Sequence, residues 1–218
     1  MIAREGVIPA AAALLLAAAA VGAQSIIGAV ASLVLVLGII WAFRDREPLI
    51  PALPLAVLSP IDGRLLAAGE RRDPWLDRKC MRLSVKLSTL GMGVIRSPTE
   101  GQIKDFWVRG GVGRDEDLDA AASPTSYALW IQTDEGDDVV LAVYGRRFVS
   151  RFKAEASPGE RIGQGKRLGF VYFGTTIVVY APQNAELEPL LTSAANQRIK
   201  GGSQVLATLV HNATGSTE

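Results

Sequence analysis

Apolar residues are spread along this chain in two different ways. Between Val7 and Phe43 they run without a single charged residue. From Leu55 onward they come in short runs separated by Gly, Pro and Asp. One helix over the first stretch would extend ~55 Å at ~1.5 Å per residue, well beyond a hydrocarbon core of ~30 Å. The pattern therefore predicts two helices, Val7–Val21 and Ile26–Trp41, with the turn at Gly22-Ala23-Gln24-Ser25, the one small and polar interruption. A soluble amphipathic helix needs a polar face, and neither segment has one. The expected element is a transmembrane helical hairpin, or a shallow re-entrant one, since each span is slightly short. A cleaved signal peptide would have one apolar core rather than two. Arg4 precedes the first span, Arg44 and Arg46 follow the second, and the turn is uncharged. The positive-inside rule then puts both ends in the cytoplasm. Residues 1–46 are thus expected to be an anchor in the cell (inner) membrane, with a domain over 47–218 on its cytoplasmic side.

Pro48, Pro51 and Pro54 make a stiff linker that is not helical throughout. Beyond it, strands are predicted at Arg64–Ala68, Met81–Leu87, Ile103–Val108, Tyr127–Gln132, Val139–Val143, Phe148–Lys153, Gly169–Phe173 and Thr176–Tyr180. No run keeps a helical period, so the domain is expected to be mainly β. The polar segment Arg109–Ala122 reads as a loop. Two echoes recur. Ser59-Pro60-Ile61-Asp62-Gly63 is matched by Ser97-Pro98-Thr99-Glu100-Gly101, a turn in which Pro presets one φ and Gly supplies the unusual one. Gly159–Gly169 is matched by Gly201–Ala207. Such turns are similar to those of lipoyl and biotinyl domains, which implies a barrel-sandwich-like arrangement of flattened sheets. Taken alone, each repeat reads first as a plain strand turn.

Charge and reactive residues narrow the function. Net charge is +1, which gives no basic field for nucleic acid. Cys80 and His211 are the only cysteine and histidine. They cannot form a disulfide and supply too few soft ligands for a metal site. Cys80 lies in a strand-like run and reads as packing, and His211 as a solvated tail residue. A lipoyl-type carrier would present a lysine in a tight turn, and none is found.

Several motifs, in order, carry a resemblance. These are Arg4-Glu5-Gly6, Phe43-Arg44-Asp45 before Pro48 and Pro51, and Leu58–Gly63. They continue with Leu90–Gly101, Tyr144-Gly145-Arg146-Arg147-Phe148, Gly165–Gly174 and Thr176–Pro182. Together they resemble the small bacterial and archaeal type of phosphatidylserine decarboxylase over nearly the whole chain. The resemblance implies a precursor that cuts itself at a Gly-Ser bond, leaving a pyruvoyl group. That ketone takes the amine of phosphatidylserine and serves as the electron sink as CO₂ departs. It also implies an aspartate in Ser-Pro-x-Asp-Gly and a histidine in Asp-Val-His to activate the serine and move protons.

Against that pattern Asp62 is present, although Asp also suits a turn in its own right. The Asp-Val-His segment falls on Gly91-Met92-Gly93 and the serine on Thr175. Glycine handles no proton. Threonine has a hydroxyl, crowded by its methyl group, and elimination would leave a 2-oxobutanoyl rather than a pyruvoyl group. Losing a general base costs ~10²–10⁴ in rate. The expectation is a catalytically degenerate family member with no cofactor, binding membrane phospholipid through Arg146 and Arg147. Its expected partners are further copies of itself or an active relative. The alternative is an active decarboxylase maturing at Gly174-Thr175 and making phosphatidylethanolamine.

Overall fold

The computed structural model describes residues 7–22, 26–42, 48–87, 93–110, 125–145, 152–171, 175–189 and 196–211. Two helices, α1 (Val7–Gly22) and α2 (Ile26–Ala42), form where the uncharged stretch predicts them. They pack against each other and leave Leu15, Ile26, Ile27 and Val34 exposed. With 16 and 17 residues, each is about 25 Å long. No described helix is long and apolar enough to cross a membrane. Residues 23–25, Arg4, Arg44 and Arg46 lie outside the described residues.

The remainder is mainly β. The strands are β1 (Ala56–Leu58), β2 (Gly63–Asp73), β3 (Arg78–Leu87), β4 (Gly93–Arg96), β5 (Gly101–Gly110), β6 (Thr125–Gln132) and β7 (Asp138–Gly145). They continue as β8 (Lys153–Ala154), β9 (Arg161–Ile162), β10 (Arg167–Val171), β11 (Thr176–Ala181), β12 (Ala185–Leu187), β13 (Arg198–Ile199) and β14 (Val205–Leu209). Every predicted run holds a strand. Of Phe148–Lys153 only its end is described, and most of the expected loop 109–122 lies outside the described residues. One antiparallel sheet has the order β13-β2-β3-β11-β7-β6-β5-β9. Two small sheets, β1-β14-β12 and β4-β10-β8, complete the fold.

That strand order is palindromic, and the register repeats with it. Gly63 pairs Ile199 as Gly101 pairs Ile162. A bulge interrupts β2 between Leu65 and Ala67, and its counterpart interrupts β5 between Ile103 and Asp105. The pseudo-twofold axis passes beside the Val179–Leu141 pair at the sheet centre. The two echoes seen in the sequence are the halves of this symmetry. Gly202 N–H donates to the Ser59 carbonyl at 2.7 Å, and Gly165 N–H to that of Ser97 at 2.9 Å. Both glycines have φ near +70°, a conformation that disfavours a side chain. The two Ser-Pro turns also bond to each other. Leu58 N–H donates to the Pro98 carbonyl and Arg96 N–H to the Pro60 carbonyl, each at 2.8 Å.

Alternation sorts the side chains onto two cores. Leu83, Val85, Leu129, Ile131, Leu141, Ile177 and Val179 face the small sheets. Cys80, Ala128, Val140, Ala142, Val178 and Tyr180 face the other way and are also buried. The central strands β7 and β11 therefore read as unbroken apolar runs. Trp75, in the β2–β3 turn, helps roof this second core. It stacks on Trp107 at 5.8 Å, which stacks on Trp130 at 6.0 Å, and the Arg109 guanidinium sits 4.1 Å from the Trp75 ring centre.

The symmetric glycines test the arrangement. A Cβ at Gly63 would lie 2.4 Å from the Lys86 carbonyl oxygen, and one at Gly101 2.2 Å from that of Gln132. Gly63→Ala and Gly101→Ala are each expected to cost more than about 2 kcal/mol. Gly110→Ala, with open space around it, should stay within about 0.5 kcal/mol. Denaturant unfolding of the purified chain measures all three.

Candidate functional site

The palindrome divides the β domain into two equivalent units. One is contiguous, β4 to β10. The other is made from β11–β14 together with β1–β3. The chain passes between them twice, over residues 88–92 and over residues 172–174. Both crossings start and end side by side. Gly93 pairs with Val171, Lys86 pairs with Thr176, and Leu87 N–H donates to the Thr175 carbonyl at 3.0 Å. Sequence reasoning puts its chemistry beside these two crossings.

Thr175 is wholly buried at the head of β11. Gly93, at the head of β4, faces Ile61: a Cβ there would meet Ile61 Cδ1 at 3.0 Å and Leu87 Cδ1 at 3.5 Å. Ile61 belongs to the first Ser-Pro turn, whose Ser59 hydroxyl donates to the Ile61 carbonyl at 2.9 Å. Asp62 follows it, and its Oδ1 accepts the Gly201 N–H at 2.7 Å. Gly201 itself lies against this turn, since a Cβ would fall 2.6 Å from the Ile61 carbonyl carbon. The Asp62 turn, Gly93, Leu87 and Thr175 are therefore linked in a continuous chain of contacts. Gly91, Gly174, Arg146 and Arg147 lie outside the described residues.

Sequence reasoning missed Ile61, Leu87 and Gly201 as the groups that join these positions. Only the Gly201-Gly202 echo carried a signal. Asp62 is exposed, and in this structure its carboxylate caps a turn, as an aspartate at such a place does anywhere.

The two outlying candidates fall elsewhere. His211 is exposed, as expected of a tail residue, but it also has a partner. Its Nε2 lies 2.6 Å from Asp137 Oδ2, while Asn184 donates to Asp137 Oδ1 at 3.2 Å. The reason is that β14 runs on past Leu209 beside the β6–β7 turn. Asp137 adjoins the far end of β11, about 20 Å from Thr175 at ~3.3 Å per residue. His211 thus cannot take a proton from Thr175 in this structure. Cys80 is buried and donates to the Arg71 carbonyl at 3.3 Å. Burial, reinforced by the Asp73 carboxylate, pushes its thiol up to about 12. It packs, as expected, rather than reacts. Among the described residues no His, Cys, Asp and Glu gather as a metal site.

The phosphatidylserine decarboxylase family model matches residues 37–207. The chain belongs to the phosphatidylserine decarboxylase family. It is 37% identical over 141 residues to the phosphatidylserine decarboxylase proenzyme of Nitrosomonas eutropha, covering 64% of this chain and 65% of that protein. It therefore spans just under two thirds of the length of this relative. The proenzymes of Aromatoleum aromaticum and Burkholderia ambifaria are each 30% identical over 172 residues, 78% of both chains. No solved structure matches.

The Cys80 environment gives a direct test. A thiol held near 12 supplies ~10³-fold less thiolate at pH 8 than an ordinary cysteine near 8.5. Alkylation of the folded chain by iodoacetamide should be slower by at least that factor than alkylation of the urea-unfolded chain, as read by mass.

Proposed function

We propose that this chain is a membrane-anchored member of the phosphatidylserine decarboxylase family that has lost the decarboxylation chemistry and binds phospholipid. The observation that carries this is Gly93. It lies in the chain of contacts that joins Asp62 to Thr175, at the position aligned with the family's histidine. No proton can be held there. His211, the only histidine, is engaged with Asp137 at the other end of the sheet. Losing the base costs ~10²–10⁴ in rate, and a hindered nucleophile adds to it, though such losses need not multiply. In this reading Arg146 and Arg147 meet lipid phosphate, and the partner is a second copy or an active relative. The α1–α2 hairpin holds the chain in the cell (inner) membrane, thinned or entered part-way because each helix is short. The β domain, of barrel-sandwich type, sits on the cytoplasmic face.

A second reading is favoured by Thr175 itself. It keeps a hydroxyl at the head of β11, and its carbonyl is fixed by Leu87 N–H. An active decarboxylase would mature when that hydroxyl attacks the Gly174 carbonyl and displaces the Thr175 nitrogen to give an ester, elimination releases the Gly174 carboxylate, and water replaces the resulting imine nitrogen, which leaves as ammonia. The 2-oxobutanoyl group so formed would supply the electron sink for decarboxylating phosphatidylserine to phosphatidylethanolamine.

Intact-mass measurement of the membrane-expressed chain, under denaturing conditions, separates the two. One uncut species is expected. A fragment of residues 175–218 bearing an N-terminal ketone would overturn the degenerate reading in favour of the active one. The double variant Thr175→Ser, Gly93→His probes the scaffold. Ile61 and Leu87 must yield to the imidazole, so slow and partial cleavage is expected, appearing over hours in the same mass assay.

A further inference from the structure

Among the described residues, every exposed large hydrophobic except Leu66 and Val108 lies between Leu14 and Leu53. Most belong to the helices. Leu49, Ile50 and Leu53 do not. They lie on the linker that follows, and they are 91%, 44% and 51% exposed. Isolated exposed leucines need no explanation. Three in five residues, just beyond the charged stretch Arg44–Glu47 that follows the hairpin, do.

The place where this linker lands gives one. Pro48 packs where a Cβ of Gly202 would be, at 2.7 Å, and Ile50 does the same at Gly165, also at 2.7 Å. These are the two symmetry-equivalent turn glycines, so the linker crosses the pseudo-twofold end of the β domain. Cations flank it there. Lys166 and Lys200, next in sequence to Gly165 and Gly201, are exposed. Arg96 lies beside Gly202 and donates to the Gly165 carbonyl at 3.4 Å. Of the carboxylates on the two Ser-Pro turns, Asp62 accepts from Gly201 N–H and its symmetry mate Glu100 is exposed. Apolar side chains fringed by cations are the composition that lies on an anionic bilayer surface. From Ala42 to Pro48 the chain reaches at most ~20 Å at ~3.4 Å per residue, so this end cannot drift far from the hairpin.

We propose that Leu49, Ile50 and Leu53, with Lys166, Lys200 and Arg96, form a seat that presses the pseudo-twofold end of the β domain onto an anionic lipid surface. The proposal rests on the membrane-anchor reading above and adds an orientation to it. β4 spans about 10 Å from Arg96 in the seat to Gly93 at the chain crossings, at ~3.3 Å per residue. A lipid headgroup at the interface is thereby brought to the candidate site without leaving the membrane.

The test uses the full chain reconstituted in phosphatidylcholine vesicles with and without about 30% phosphatidylglycerol. An environment-sensitive dye is placed at Leu49→Cys, with Val108→Cys as the control. The seat predicts a blue-shifted Leu49 probe quenched by brominated acyl chains, more strongly with phosphatidylglycerol, and an unquenched Val108 probe. Lys166→Glu with Lys200→Glu should remove at least about half of that quenching while vesicle flotation is unchanged. An unquenched Leu49 probe in a chain that floats overturns the seat and leaves the anchor standing. A chain that does not float overturns both. Quenching that ignores phosphatidylglycerol and the lysine reversals overturns the role of charge in the seat.

Discussion

Everything in the β domain is referred to four backbone hydrogen bonds around two serine-proline turns. Each turn donates to the other, through Leu58 and Arg96, and each accepts from a glycine held at positive φ, Gly202 or Gly165. Proline has no N–H to offer, so these turns are joined by their carbonyls and by the residues just before the serines. Ser59 and Ser97 are fully buried, yet neither hydroxyl is wasted. Each bonds a carbonyl two residues on, at 2.9 and 2.6 Å. This small polar knot sits where the halves meet, and it sets where β2 and β5 start. From those starts follow the paired bulges, the palindromic order and the two-sided burial of β7 and β11. A buried polar cluster is worth keeping only when it is satisfied.

Symmetry of this kind leaves few places for asymmetric chemistry. Where the halves are equivalent, paired strands and packed leucines occupy the space. The exchange of chain between halves breaks the equivalence in connectivity: the bond from Leu87 N–H to the Thr175 carbonyl is mirrored by one from Thr133 N–H to the Asp137 carbonyl, but there a simple turn joins the two strands. Family membership and local geometry therefore point to the same spot. The linker crosses the knot at Gly202 and Gly165, about one short strand from Gly93.

Much of the fold was legible because β alternation and turn residues are local signals. Leu83, Val85 and Leu87 alternate with polar neighbours, and the two Ser-Pro turns stand out as a repeat. The helices were legible from the absence of charge alone. What was not legible is pairing at long range. The two-residue strands Arg161–Ile162 and Arg198–Ile199 carry no pattern of their own, and they exist because Gly101 and Gly63 offer them an edge. The Trp75, Trp107 and Trp130 stack joins residues on different strands for the same reason. At the candidate site the residue types were readable, but not that Asp62 would meet Gly201 from the far end of the chain. His211 is exposed as its tail position suggests, but nothing near it in sequence announces its bond to Asp137.

The split construction also orders events in time. The unit β4–β10 is contiguous and can close as soon as Val171 has been made. β1–β3 cannot, because β1 waits for β14 and β3 waits for β11. During synthesis the long β3 therefore stands with an open edge while some ninety residues follow, a high-contact-order step of the sort that folds slowly and invites mispairing. Under the proposed anchoring, a nascent chain held by its first helices would spend that interval at low local concentration of competing edges, so the anchor would guard assembly as well as fix address.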